Sequence, residues 1–175
     1  CATFVHNNTL YLADSQGRIL RSGNLGAAWT VNTLPGINYS SSAHFRRDNA
    51  TNILYVSAGA RLFASTDNGA SWSVAAPDAP APLLDFTPAG NRIFGACTSG
   101  FIYLEKNSNA WKIRNQGIRA RTADLLKTLG DDVFTVFGNK VFRSADGGDN
   151  WVELPIPVLQ NNPQAKVTDL AKNGD

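Results

Sequence analysis

Residues 65–72 read STDNGASW, and 79 positions later residues 144–151 read SADGGDNW, so the pattern Ser-x-Asp-x-Gly-x-x-Trp occurs twice. The four tryptophans, Trp29, Trp72, Trp111 and Trp151, are spaced by 43, 39 and 40 residues. A fixed period near 40 residues is the mark of an internal repeat. Aligned on their tryptophans, the four segments share one grammar. A short apolar stretch ends in a turn such as HNN, RDNATN, PAGN or LGDD. An aromatic and β-branched run follows, TLYLA, ILYVSA, RIFGAC or DVFTVF, then a Gly-containing turn and RILRS, RLFAS, FIYLE or KVFRS. The motif then leads through its Trp into a last alternating piece.

That grammar describes four short strands per repeat, alternating with period 2 and joined by tight Gly or Asn turns. Four antiparallel strands in about 40 residues is the signature of a β-propeller blade, whose neighbour covers the apolar face that one sheet leaves open. The expected class is all-β, a propeller of four-stranded antiparallel blades. The repeats fall at about 1–34, 40–77, 82–115 and 121–156, within a single propeller domain or part of one. Residues 165–175 resemble the first strand of a fifth repeat, since TDLAKNGD matches ADLLKTLGD. Two explanations fit that ending: further blades on a longer chain, or a strand that completes a ring within this chain or with a second copy. The first is favoured because repeat one already has its own first strand, ATFVH.

Within each motif the Asp is expected to hold a turn, accepting hydrogen bonds from backbone N–H groups two residues on, while Gly supplies a positive φ and Ser adds a second local bond. The Trp then opens the outer strand and covers the turn.

These residues resemble the Asp-box, or BNR repeat. The pattern is complete at Ser65, Asp67, Gly69, Trp72 and at Ser144, Asp146, Gly148, Trp151. Repeat one keeps Asn24, Gly26 and Trp29, with Asn for Asp, and repeat three keeps only Trp111. The resemblance implies a propeller of the kind found in sialidases, sortilin-type receptors, xyloglucanases and photosystem II stability factors. In that family the box is structural and lies away from the active centre. Function is therefore left to be argued from other residues.

Sixteen basic and fourteen acidic residues leave a net charge of +2, and the basic residues cluster no further than Arg46-Arg47 and Arg119-x-Arg121. Nothing here has the charge footprint of a nucleic-acid partner, and no apolar run is long enough to cross a membrane. Cys97 lies in an apolar run and reads as a buried thiol. Cys1 at the start resembles the lipidated cysteine of a mature bacterial lipoprotein, and the expected location is outside the cytoplasm, secreted, periplasmic or lipid-anchored.

Sialidase-like hydrolysis would require, by resemblance, an arginine triad and a tyrosine nucleophile, and the Arg-Ile-Pro signature of such enzymes is absent. Tyr11, Tyr55 and Tyr103 lie in apolar strand runs. Of the acids, Asp85, Asp124 and Asp169 recur in the contexts LLDF, ADLL and TDLA, which marks a repeat-related position at first strands. His6 and His44 lack a third ligand for a metal. No catalytic residue, metal or cofactor is assigned. The expected role is a non-catalytic binding or scaffold module with a glycan or protein partner. Its contact surface would be built from His44, Arg46, Arg47, Asp85, Arg119 and Arg121, with Arg114 added if the partner is a protein. The alternative is a fragment of a glycoside hydrolase whose catalytic residues lie elsewhere.

Overall fold

The computed structural model of the chain describes residues 2–37, 42–116, 118, 125–130, 132–162 and 164–170. Its strands form four four-stranded antiparallel sheets, each built from consecutive strands. The first sheet holds β1 (Ala2–His6), β2 (Thr9–Ala13), β3 (Arg18–Ser22) and β4 (Thr30–Thr33), and the second holds β5 (Ala43–Arg47), β6 (Leu54–Ala58), β7 (Arg61–Ser65) and β8 (Ser73–Val74). The third holds β9 (Leu83–Ala89), β10 (Arg92–Cys97), β11 (Gly100–Glu105) and β12 (Lys112–Ile113). The fourth holds β13 (Leu125–Leu129), β14 (Asp132–Phe137), β15 (Lys140–Ser144) and β16 (Val152–Leu154). The chain divides into two compact units, Cys1–Leu83 and Leu84–Asp175, each carrying two of the sheets.

The turns explain the strand lengths. Asn7 and Asn8 both lie at positive φ, +46° and +55°, giving β1 and β2 the two-residue hairpin whose twist suits antiparallel strands. The segment after Trp151 includes one turn of helix, α1 (Pro157–Gln160), where proline at the helix start supplies a preset φ.

In the first unit Phe45 is the pivot of the core. It stacks on Phe4 at 5.9 Å and lies 6.2 Å from both Tyr11 and Trp72. In the second unit Phe101 meets Trp151 edge to face at 4.6 Å, within a cluster that includes Phe94, Tyr103, Leu126 and Phe142. Large side chains of this kind stabilise by about 1.5–3 kcal/mol each when fully buried. Cys97 is buried, its thiol 3.4 Å from the Gly100 carbonyl, and burial pushes its pKa up.

Each Ser-x-Asp-x-Gly-x-x-Trp stretch forms the connection from third to fourth strand. Ser65 Oγ donates to Asp67 Oδ1 at 2.7 Å and accepts from the Gly69 N–H at 2.8 Å; Ser144, Asp146 and Gly148 repeat this at 2.7 and 2.8 Å. The carboxylate accepts from the N–H four residues on, Ser71 at 2.9 Å and Asn150 at 2.8 Å, rather than two. The reason is a pair of successive positive-φ residues, Asn68-Gly69 and Gly147-Gly148, which curls the chain back over the Asp. Asn24 does the same work uncharged: its Oδ1 accepts from Ala28 N–H at 2.8 Å, past Leu25 and Gly26 at positive φ. The Trp151 indole N–H donates to the Gly148 carbonyl at 3.1 Å, whereas that of Trp72 is buried with no acceptor among the described residues.

The turn is also where one sheet meets the next. The Tyr11 hydroxyl donates to the Asn68 carbonyl at 2.9 Å, Arg21 Nε donates to the same oxygen at 2.9 Å, and Asn32 reaches the Gly69 carbonyl at 3.3 Å. In the second unit Arg92 Nη1 donates to the Gly147 carbonyl at 3.0 Å, its guanidinium lying over the Tyr103 ring. A Cβ on Gly69 would stand 2.4 Å from the Tyr11 ring, and one on Gly148 would stand 2.3 Å from the Phe101 ring. The Gly is thus fixed by φ and by a neighbouring sheet's aromatic together. At Gly26 the nearest atom to such a Cβ is Trp29's own ring at 3.5 Å.

Gly69→Ala and Gly148→Ala are expected to cost about 3 kcal/mol each, positive φ and overlap combined, and Gly26→Ala about 1 kcal/mol from φ alone. Urea unfolding of the three variants checks the ranking; equal losses would refute the seat.

Candidate functional site

The first strands carry most of the residues that the sequence singles out. On β5 the side chains alternate, so Phe45 and His44 point to opposite faces. Arg47 shares the Phe45 face and ends β5, as His6 ends β1. These two are brought together: burial first, and then the Arg47 charge, hold the His6 pKa below its ordinary value, so the imidazole is neutral at pH 7. The His6 ring stacks on Phe4 at 6.3 Å. Arg47 Nε donates to Asn52 Oδ1 at 2.9 Å, and Asn52 itself lies at positive φ, so a strained turn fixes the guanidinium.

His44 and Arg46 lie on the other face of β5. The His44 backbone N–H donates to Ser57 Oγ at 3.2 Å, and Arg46 Nη1 donates to the Phe45 carbonyl at 2.8 Å. The sequence group His44, Arg46, Arg47 is therefore split across the strand, and His6 joins Arg47. The missed signal is that both His6 and Arg47 immediately precede the first turn of their repeats.

Asp85, on β9, is only 3% exposed. Its Oδ1 accepts from the Phe86 N–H at 2.8 Å and its Oδ2 accepts from the Leu126 N–H on β13 at 3.0 Å. Thr87 and Thr128 Oγ1 atoms meet at 3.4 Å beside it. The carboxylate ties two neighbouring first strands together, so its position is structural and internal. Arg114 Nε lies 3.6 Å from Asp149 Oδ1, next to the fourth sheet's turn. Arg119, Arg121, Asp124 and Cys1 lie outside the described residues.

The turn acids are strongly polarised. Side-chain and backbone hydrogen bonds from Ser71, then the bond from Ser65, hold the Asp67 pKa at about 2. The Asn150 backbone and side chain, then Ser144, do the same for Asp146, also at about 2. Both are exposed carboxylates whose lone pairs are committed to their own turn. Among the described residues no group of three His, Cys, Asp or Glu is arranged to hold a metal, and no helix is long and apolar enough to cross a membrane.

No family model matches the chain, and no curated protein matches it by sequence. Solved structures do. A structure of YCF48 bound to D1 peptide is 16% identical over 91% of this chain and 53% of its own, with a TM-score of 0.68. The nidogen/laminin complex gives 13% identity, 87% and 61% coverage and a TM-score of 0.63. The GH74 enzyme of Niastella koreensis gives 19% identity, 83% and 23% coverage and a TM-score of 0.59. The chain spans about half the length of the YCF48 structure. These neighbours are β-propellers, and the four sheets of this chain are blades of a partial β-propeller. At such identities the likeness shows the fold alone.

The two depressed carboxylates have a consequence for acid stability. A carboxylate held at about 2 when folded and near 3.8 when unfolded contributes stability that is full above pH 3.8 and lost as pH falls toward 2. Acid unfolding is expected to steepen across that window, and Asp67→Asn with Asp146→Asn to flatten it, because Asn24 already shows that an amide keeps the turn bonds. Circular dichroism against pH checks this; an unchanged slope would contradict it.

Proposed function

We propose that the chain is an Asp-box propeller module that acts outside the cytoplasm as a binding or scaffold unit for a protein partner, without chemistry of its own. The observation that carries this reading is the basic, hydrogen-bonded end of the first strands in the first unit. There Arg47 is held by Asn52 beside a neutral His6 and the stacked ring of Phe4. A guanidinium held in place by a neighbouring side chain suits a carboxylate on an extended peptide. The likeness to YCF48 bound to a D1 peptide supports a peptide rather than a glycan as ligand.

The glycoside hydrolase alternative draws on the GH74 likeness. It needs two carboxylates facing a cleft. Of the described acids singled out in the sequence, Asp85 is buried with both oxygens bonded to backbone N–H groups, and Asp169 Oδ1 pairs with Lys127 Nζ at 3.3 Å. Asp67 and Asp146 are committed to their turns. The binding reading is therefore preferred.

The test is fluorescence anisotropy with labelled acidic peptides and with a neutral peptide as control. Binding of the acidic peptides that weakens with salt, and weakens at least tenfold in Arg47→Ala with melting temperature unchanged, is the expected result. Equal affinity for acidic and neutral peptides, or an indifferent Arg47→Ala variant, would overturn it, and hydrolysis of xyloglucan by the intact chain would replace it.

A further inference from the structure

The turn that seats one blade on the next has an uncovered copy in the first sheet. Directly opposed residues in antiparallel strands share a face. The register therefore puts Val5, Leu10, Leu12, Leu20 and Ser22 together on the face of the first sheet opposite Phe4 and Tyr11. In the second and fourth sheets the residues on the corresponding rungs are closed off: Leu54, Val56 and Phe63 are at most 1% exposed, and Val133, Thr135 and Phe142 at most 5%. In the first sheet Leu10, Leu12 and Leu20 are all partly exposed and Val5 is 64% exposed. The turn follows suit. Trp29 is 38% exposed against 8% for Trp72 and 6% for Trp151, and Leu25, at positive φ, is 83% exposed where Asn68 and Gly147 are gripped by arginine.

The fourth sheet carries the piece that fits. On the first sheet the pair that clasps the next turn is Tyr11 opposite Arg21, one rung in from the pair Leu10 and Ser22. On the fourth sheet the same rung, counted from Val133 and Ser144, holds Phe134 opposite Arg143. Phe134 is partly exposed and Arg143 exposed. Arg143 is parked on Asp132 through Nε at 2.9 Å and Nη2 at 2.8 Å, which holds its fork in place. Beside it a hollow of ≈ 300 Å³ is lined by Arg143, Ala145, Asp146, Asn150, Val152 and Leu154. The chain thus carries an aromatic and arginine clasp on its fourth sheet and an open turn, with its apolar face, on its first.

We propose that the open face of the first sheet is the docking site for the fourth sheet of a second copy of this chain. Phe134 takes the place over Gly26 that Tyr11 takes over Gly69, and Arg143 donates to the Leu25 carbonyl as Arg21 donates to that of Asn68. The contact is head to tail, so two copies form two such contacts if the rotation closes. The inference stands on blade geometry and does not depend on the peptide-binding reading.

Light scattering of the 175-residue chain tests it, with circular dichroism confirming that each variant is folded. The expected mass is twice 18.8 kDa. Val5→Lys with Leu25→Lys alters one exposed face and Arg143→Glu alters the other, and each is expected to raise the dissociation constant at least tenfold. Mixing the two variants is expected to restore association, because the mixture contains one intact contact. A chain that is monomeric at all concentrations would overturn the proposal and assign the face to further blades on the same polypeptide. A dimer indifferent to these substitutions, or a mixture that does not associate, would equally overturn it.

Discussion

The architecture depends on a glycine that must accept a left-handed backbone and an aromatic ring at the same time. Gly69 and Gly148 satisfy both demands, and the carbonyl just before each is held by an arginine from the adjoining sheet. A four-stranded sheet by itself has two faces and a core on neither. The seat converts a local turn into the joint between two sheets, and so makes the repeat a structural unit larger than its hydrogen bonds. The serine and aspartate serve this joint indirectly, by presenting the glycine and the preceding carbonyl at a fixed height above the strands.

Much of this was legible in the residues. Tryptophan spacing set the period, alternation set the strands, and Asn and Gly set the turns; Tyr11, Tyr55 and Tyr103 lie buried in strands as their apolar neighbours suggest. What the sequence concealed was partnership across sheets. The arginine before the motif serine is plain in RILRS and KVFRS, yet nothing local says that Arg21 spans to residue 68 while Arg143 folds back on Asp132. Likewise LLDF offers no hint that Asp85 would be bonded to an N–H 41 residues away. The reach of the motif Asp was misjudged for a related reason: two successive positive-φ residues move the bonded amide from the second to the fourth position, and a single glycine does not reveal the pair.

The basic residues illustrate the same limit on the functional side. Adjacent arginines in a strand look like one patch but face opposite ways, so Arg46 and Arg47 serve different surfaces. The histidine that joins Arg47 comes from another repeat, some 40 residues earlier. Sites on repeat proteins are assembled from equivalent positions of successive units, and reading equivalent positions together is more informative than reading neighbours.

The sheet topology has a bearing on how the protein is made. Every sheet is closed by strands that follow one another directly, so its pairings are short-range and need no distant segment before they form. A blade emerging from the ribosome can complete its hydrogen bonding at once, but its apolar face stays bare until the next forty residues have been synthesised. Vulnerability to misassembly during translation therefore moves along the chain as a travelling window one blade wide, and the turn glycines are the latches that close it behind.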